Sequence, residues 1–128
     1  MTPKFRAWDS WRKRMSVVDR IYIDTEGVRL YDDFGEYWRD FRDAKLMQST
    51  GLKDKNGKEI FEGDILAFET DDEVINVNVF WDEEHALFMF ESKKYNEQEP
   101  LAELVENNTY PFEIMGNIYE NRDLLEDK

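Results

Sequence analysis

Val74-Ile75-Asn76-Val77-Asn78-Val79-Phe80-Trp81 is the stretch that decides the fold class. Successive side chains of a strand point to opposite faces, so Ile75, Val77, Val79 and Trp81 share one face while Asn76 and Asn78 take the other. The stretch predicts a half-buried β-strand. Downstream, Asp82-Glu83-Glu84 turns the chain into His85 to Phe90, the second strand of a hairpin. Upstream, Asn56-Gly57 within Asp54-Lys55-Asn56-Gly57-Lys58 is the strongest short hairpin signal of the chain. Both residues tolerate the left-handed backbone that a type I′ turn requires. Ile60 to Phe61 and Ile65 to Phe68 continue the pattern, with Gly63 marking a bend or bulge.

The first third of the chain shows the same period. Lys4 to Trp8 and Met15 to Val18 read as paired strands, and Ile21 to Ile23 with Val28 to Tyr31 as a second hairpin. Asp24-Thr25-Glu26-Gly27 joins that hairpin, and Gly27 is expected to supply the positive φ. Between Asp33 and Ala44 the period changes: Phe34, Tyr37, Trp38 and Phe41 fall at i, i+3, i+4 and i+7, with Asp32 or Asp33 placed to cap a helix. Gly35 and the aromatic content suit a strand as well, so helix and strand both stay open over residues 33–44. Pro100 with Leu101, Leu104 and Val105 predicts a short helix ending near Asn107-Asn108, and Phe112 to Ile118 a last strand. Asn121 then stands to cap a helical turn through Leu124 and Leu125. There is no internal repeat, low-complexity stretch or linker. The expectation is a single domain, residues 1–128, with subregions 1–45 and 46–128.

Composition limits the setting. Of the 128 residues 41% are apolar and 15% aromatic, including Trp8, Trp11, Trp38 and Trp81, enough to bury a core although 37% are charged. The chain has no cysteine, which excludes disulfides, thiolate nucleophiles, zinc-thiolate sites and iron–sulfur clusters, and fits a reducing compartment. The longest apolar run, Ala86 to Phe90, is far short of a membrane span, and residues 1–20 hold no apolar core of a secretion signal. A soluble cytoplasmic protein with no membrane partner is expected. Its 17 basic and 30 acidic side chains give a formal charge of −13. Residues 1–20 run against that trend: Lys4, Arg6, Arg12, Lys13, Arg14 and Arg20 against Asp9 and Asp19 give +4, and the remainder carries −17. The segment is either an arm for an anionic partner or a basic turn against the chain's own acidic body, and the second reading is favoured.

Residues with the right chemistry at the right spacing are scarce. The stretch from Gly51 to Glu59 resembles a phosphate loop, but five residues separate Gly51 from Gly57, and Glu59 replaces the magnesium-binding Ser or Thr. A calcium loop fails at Lys58 and Ile65, where oxygen ligands belong. Asp71-Asp72-Glu73 and Asp82-Glu83-Glu84 stand roughly 26 Å apart if the intervening stretch is extended, so each is read as a solvated turn. His85 is the single histidine, there is no Gly-x-Ser-x-Gly elbow, and a pair such as Glu62 and Asp64 on one strand face arises by chance among 30 acids. No catalytic residue, metal ligand or cofactor is assigned. The candidate binding residues are Trp8, Trp11, Arg12, Lys13 and Arg14, whose cations can neutralise phosphates and whose indoles can stack on bases. Repulsion from the acidic remainder disfavours nucleic acid all the same.

The run from Leu46 to Ile65, LMQSTGLKDKNGKEIFEGDI, resembles the YopX-like family of phage and prophage proteins. Lys4-Phe5-Arg6-Ala7-Trp8-Asp9 resembles the family's opening strand, and Gly116-Asn117-Ile118-Tyr119-Glu120-Asn121 followed by Leu124-Leu125 resembles its close. Residues 66–112 carry no family-specific pattern, and Arg122 stands where the family often has Pro. The resemblance implies a mainly β fold, a second half similar to a small SH3-like barrel, and a phage or prophage origin. It implies no reaction. The expectation is a non-enzymatic accessory protein that binds a host or phage protein through an acidic, aromatic surface. Two alternatives stay open: a metal-dependent enzyme using Glu62, Asp64, Asp71 and Asp72, and nucleic-acid binding through the first 20 residues. A homo-oligomer stays open too, since strand edges favour it and charge opposes it.

Overall fold

The computed structural model describes residues 4–106 and 111–126. Strands hold 59% of them and helices 8%, so the chain is mainly β. It divides into two compact units, residues 1–49 and 50–128. The division falls inside a strand, later than residue 45, because β5 (Ala44–Lys53) pairs with β1 (Phe5–Asp9) as far as Gln48.

In the first unit β2 (Arg14–Tyr22), β3 (Gly27–Asp32) and β4 (Gly35–Asp40) join them in an antiparallel sheet ordered β4-β3-β2-β1-β5. Alternation brings Ala7, Val28, Leu30 and Ala44 into its core, with Val18, Ile21 and Tyr37 packed against them. The segments read as separate strands at Met15 and Ile21 form one strand, β2, interrupted by a bulge between Val18 and Arg20 that bends it without ending it.

Of the two readings open for residues 33–44, the strand is the one that forms. β4 pairs with β3 from Asp32↔Gly35 to Gly27↔Asp40. Ladder hydrogen bonds outweigh the weak helical preference of a glycine-bearing, aromatic stretch. Asp32 does cap, but it caps a hairpin: its Oδ1 accepts the Phe34 N–H at 2.8 Å. The reading of Gly27 is corrected. Glu26 carries the positive φ of that turn, 51°, and Gly27 instead makes room for Trp38, whose Cζ2 would stand 2.0 Å from any Cβ there.

In the second unit the end of β5 lies beside β6 (Glu59–Phe61). The strands β7 (Asp64–Glu69), β8 (Val74–Asp82), β9 (Leu87–Ser92), β10 (Glu97–Pro100) and β11 (Phe112–Asn117) form an antiparallel sheet ordered β10-β9-β8-β7-β11. The SH3-like barrel is corrected to this open sheet, in which β10 and β11 are opposite edges. Closure is not needed to bury the apolar face, because α1 (Leu101–Glu106) brings Leu101, Leu104 and Val105 against the core of Val77, Val79 and Phe90. Pro100 ends β10 rather than opening the helix, and the expected helix end at Asn107-Asn108 lies outside the described residues.

The Asn56-Gly57 hairpin forms, but not as a type I′ turn. Gly57 alone of the two has positive φ, 79°, and its N–H reaches the Asp54 carbonyl at 3.0 Å. The buried Asp54 carboxylate organises the turn: Oδ1 accepts the N–H groups of Asn56 and Lys58 at 2.9 Å each, and Oδ2 accepts that of Ile114 at 3.0 Å. Asn121 precedes a 3-10 turn at Arg122–Leu125 without capping it; its Oδ1 accepts the Asn117 N–H at 3.1 Å instead.

Candidate binding cleft

Residues directly opposed in an antiparallel pair share a face of the sheet. Glu97 opposes Ser92 and Glu99 opposes Phe90, and Phe90 belongs to the core. The edge strand β10 therefore directs two carboxylates along the apolar side of its sheet. The next element adds Glu103 and Glu106, three residues apart and hence on one helix face. Together the four rim a cleft of about 620 Å³ with Phe68, Ile75, Val77, Phe90 and Leu104 as its floor. That volume lies within the ordinary range of ligand sites.

No cation bridges any of the four rim glutamates among the described residues. In the turn between β9 and β10, Lys94 is engaged by Glu73 at 2.7 Å, and Tyr95, which also lines the cleft, donates its hydroxyl to the other Glu73 oxygen. Lys94, and then Tyr95, hold the Glu73 carboxyl below its ordinary pKa, and Glu73 pushes the Tyr95 hydroxyl up. Ser92 Oγ, at the cleft wall, accepts the Tyr95 N–H at 3.2 Å. The arrangement suits a ligand that carries cationic groups beside an apolar face.

The residues singled out from sequence lie in the first unit. Trp8 is half-buried on β1, Trp11, Arg12 and Lys13 form the β1–β2 turn, and Arg14 opens β2. Arg12 meets Asp32 at 2.7 Å and stacks 4.1 Å above the Tyr37 ring, and Arg14 lies 3.7 Å from the same carboxylate. Trp11 is 69% exposed, with the Arg39 guanidinium 4.7 Å from its ring centre. Lys13 is exposed. Beneath them lies Asp9, fully buried, whose Oδ1 accepts the Trp11 and Arg12 N–H groups at 2.9 and 3.2 Å and the Arg39 Nε–H at 3.1 Å. Burial pushes its carboxyl up, but these donors outweigh burial and hold it below the usual range.

The carboxylates considered for metal chemistry are dispersed. Glu62 sits in the turn before β7, and the buried Asp64 accepts the Phe61 N–H at 2.8 Å, so the two are not a pair on one strand face. Asp71 and Asp72 are exposed in the β7–β8 turn. Asp82, Glu84 and His85 approach within 4.8 Å in the β8–β9 turn, where His85 Nδ1 lies 2.7 Å from Asp82, and Glu84 and His85 are exposed. The rim glutamates were not found from sequence. The available signal was Glu at period two in Glu97-Gln98-Glu99 followed by Glu103 and Glu106 at helical spacing after Pro100.

Compared with known families, residues 4–126 match the model described as YopX protein. The chain belongs to the YopX family. Among solved structures, protein EF1440 from Enterococcus faecalis is 28% identical, with a TM-score of 0.71 over 98% of this chain and 99% of that one. Protein yopX from Bacillus subtilis is 20% identical, with a TM-score of 0.65 over 96% and 98%, and shares the fold. Among curated proteins nothing matches. No helix among the described residues is long and apolar enough to cross a membrane.

Proposed function

We propose that this member of the YopX family is a non-enzymatic protein-binding module of phage or prophage origin, acting in the bacterial cytoplasm through the cleft of its second unit. One observation carries the reading: a cleft with an apolar floor is rimmed by four exposed glutamates that no cation among the described residues bridges. Covering such a floor contributes about 25 cal/mol per Å² of apolar surface removed from water, against the entropy lost on association. The chain's charge of −13 adds long-range attraction for a basic partner and speeds encounter.

The test is capture from host lysate at low and moderate salt with three tagged proteins. They are the wild type, a rim variant carrying E97Q, E99Q, E103Q and E106Q, and a turn variant carrying D71N, D72N, E83Q and E84Q. The two variants lose the same charge. The reading expects a reproducible partner on the wild type and the turn variant that is lost from the rim variant. No reproducible partner, or equal recovery on all three, contradicts it.

A further inference from the structure

Resting on that reading of the cleft, we infer that its occupant is a segment of a partner protein in which Lys or Arg side chains are interspersed with bulky apolar ones. The rim sets the first half of this requirement. Glu97 and Glu99 are two residues apart on a strand, about 7 Å. Glu103 and Glu106 are one helical turn apart, with about 5–6 Å between their Cβ atoms. Carboxylates in two such pairs match the repeat of a polypeptide bearing several cations. A ligand with a single charge would leave most of them unanswered. The floor sets the second half, since the half-buried Phe68, Ile75 and Leu104, with Phe90 beneath them, present branched and aromatic surface that only apolar groups cover without stranding polar atoms.

Charge also decides against a second copy of this chain. Each copy brings −13, and the inward glutamates on edge strand β10 repel a like strand, a known means of blunting sheet edges. The cleft's margin already holds an example of the contact a partner would make. Lys94 meets Glu73 at 2.7 Å with its ammonium 5.5 Å from the centre of the Tyr95 ring. A partner lysine on the rim repeats that pairing of carboxylate and apolar surface.

The experiment measures fluorescence anisotropy of a labelled peptide alternating leucine and lysine, added to the full chain at about 0.15 M salt. The comparison probes are the same peptide with glycine for leucine, and spermine as competitor. The inference expects the rim variant to weaken the leucine–lysine peptide about tenfold, from four partly exposed charge contacts. The turn variant should change it less than about twofold, and the glycine peptide should bind about tenfold more weakly than its leucine counterpart. Should the rim variant fail to fold, E103Q/E106Q on exposed helix positions replaces it, with an expected loss of about threefold. Equal weakening by rim and turn variants overturns the inference as general charge attraction. A glycine peptide that binds as tightly, or spermine that displaces the leucine peptide at matched charge, overturns it in favour of a polycation site. A rim-dependent partner captured from lysate, combined with a leucine–lysine peptide that does not bind, overturns this inference alone and leaves the wider reading standing.

Discussion

Asn in place of Asp54 keeps the side chain's shape and removes its charge and one acceptor. The carboxylate, in a residue 7% exposed, accepts backbone N–H groups from Asn56, Lys58 and Ile114. Ile114 is 60 residues away, so one group holds the β5–β6 turn and ties it to β11. Asn can keep its oxygen on Asn56 and Lys58, but its amide then turns a donor toward the Ile114 N–H. A hydrogen bond to a charged group is worth about 1.5–3 kcal/mol, so losing one and weakening two costs about 3 kcal/mol. At roughly 4 °C per kcal/mol for a domain near this size, the melting temperature falls by about 12 °C. Acid supplies a second signature. Burial pushes the Asp54 carboxyl up, but the N–H groups of Ile114, Lys58 and Asn56 outweigh burial and leave it below its ordinary value. A carboxyl depressed in the folded state stabilises above its unfolded pKa, about 3.9, and that stability is lost as pH falls through the folded value. The gap between wild type and D54N is therefore full at neutral pH and narrows below about pH 4. Thermal melts followed by circular dichroism across that range measure both. A D54N chain melting within about 2 °C of wild type at neutral pH, or a gap that stays constant in acid, refutes the argument.

Gly27→Ala should destabilise by about 2 kcal/mol or more, because its Cβ would sit 2.0 Å from the Trp38 ring. Adding Trp38→Leu relieves that clash, and a double-mutant cycle in urea reads the coupling. Asp9→Asn leaves the Arg39 guanidinium without its charge partner beside a buried group, at a cost of about 2–4 kcal/mol measured by urea unfolding. Changing Arg12, Lys13 and Arg14 together to Gln should leave partner capture unchanged; a partner lost from this variant places the binding surface in the first unit.

The strands whose faces differ sharply in polarity were legible in the sequence. Val74 to Trp81 forms β8 with Val77 and Val79 buried, because alternation there coincides with a sheet that has one apolar side. Residues 33–44 were ambiguous because four aromatics satisfy a helical stripe, and only the ladder with β3 decides for a strand. The Asn56-Gly57 signal located its turn and missed its chemistry, since the Asp54 carboxylate also binds a strand that arrives 60 residues later. Glu97-Gln98-Glu99 alternates in charge but has no apolar alternation, so β10 owes its place to pairing with β9. The cleft was hidden for the same reason. Phe68, Ile75, Phe90 and Leu104 come from four elements, and sheet order rather than sequence spacing brings them to one floor.

Carbodiimide coupling of the captured complex, followed by mass spectrometry, joins carboxylates to partner lysines only where the two are in contact. Cross-links concentrated on Glu97, Glu99, Glu103 and Glu106 are the result predicted for binding at the cleft. Cross-links that spare those four and form on the exposed turns at Asp71, Asp72, Glu83 and Glu84 contradict it.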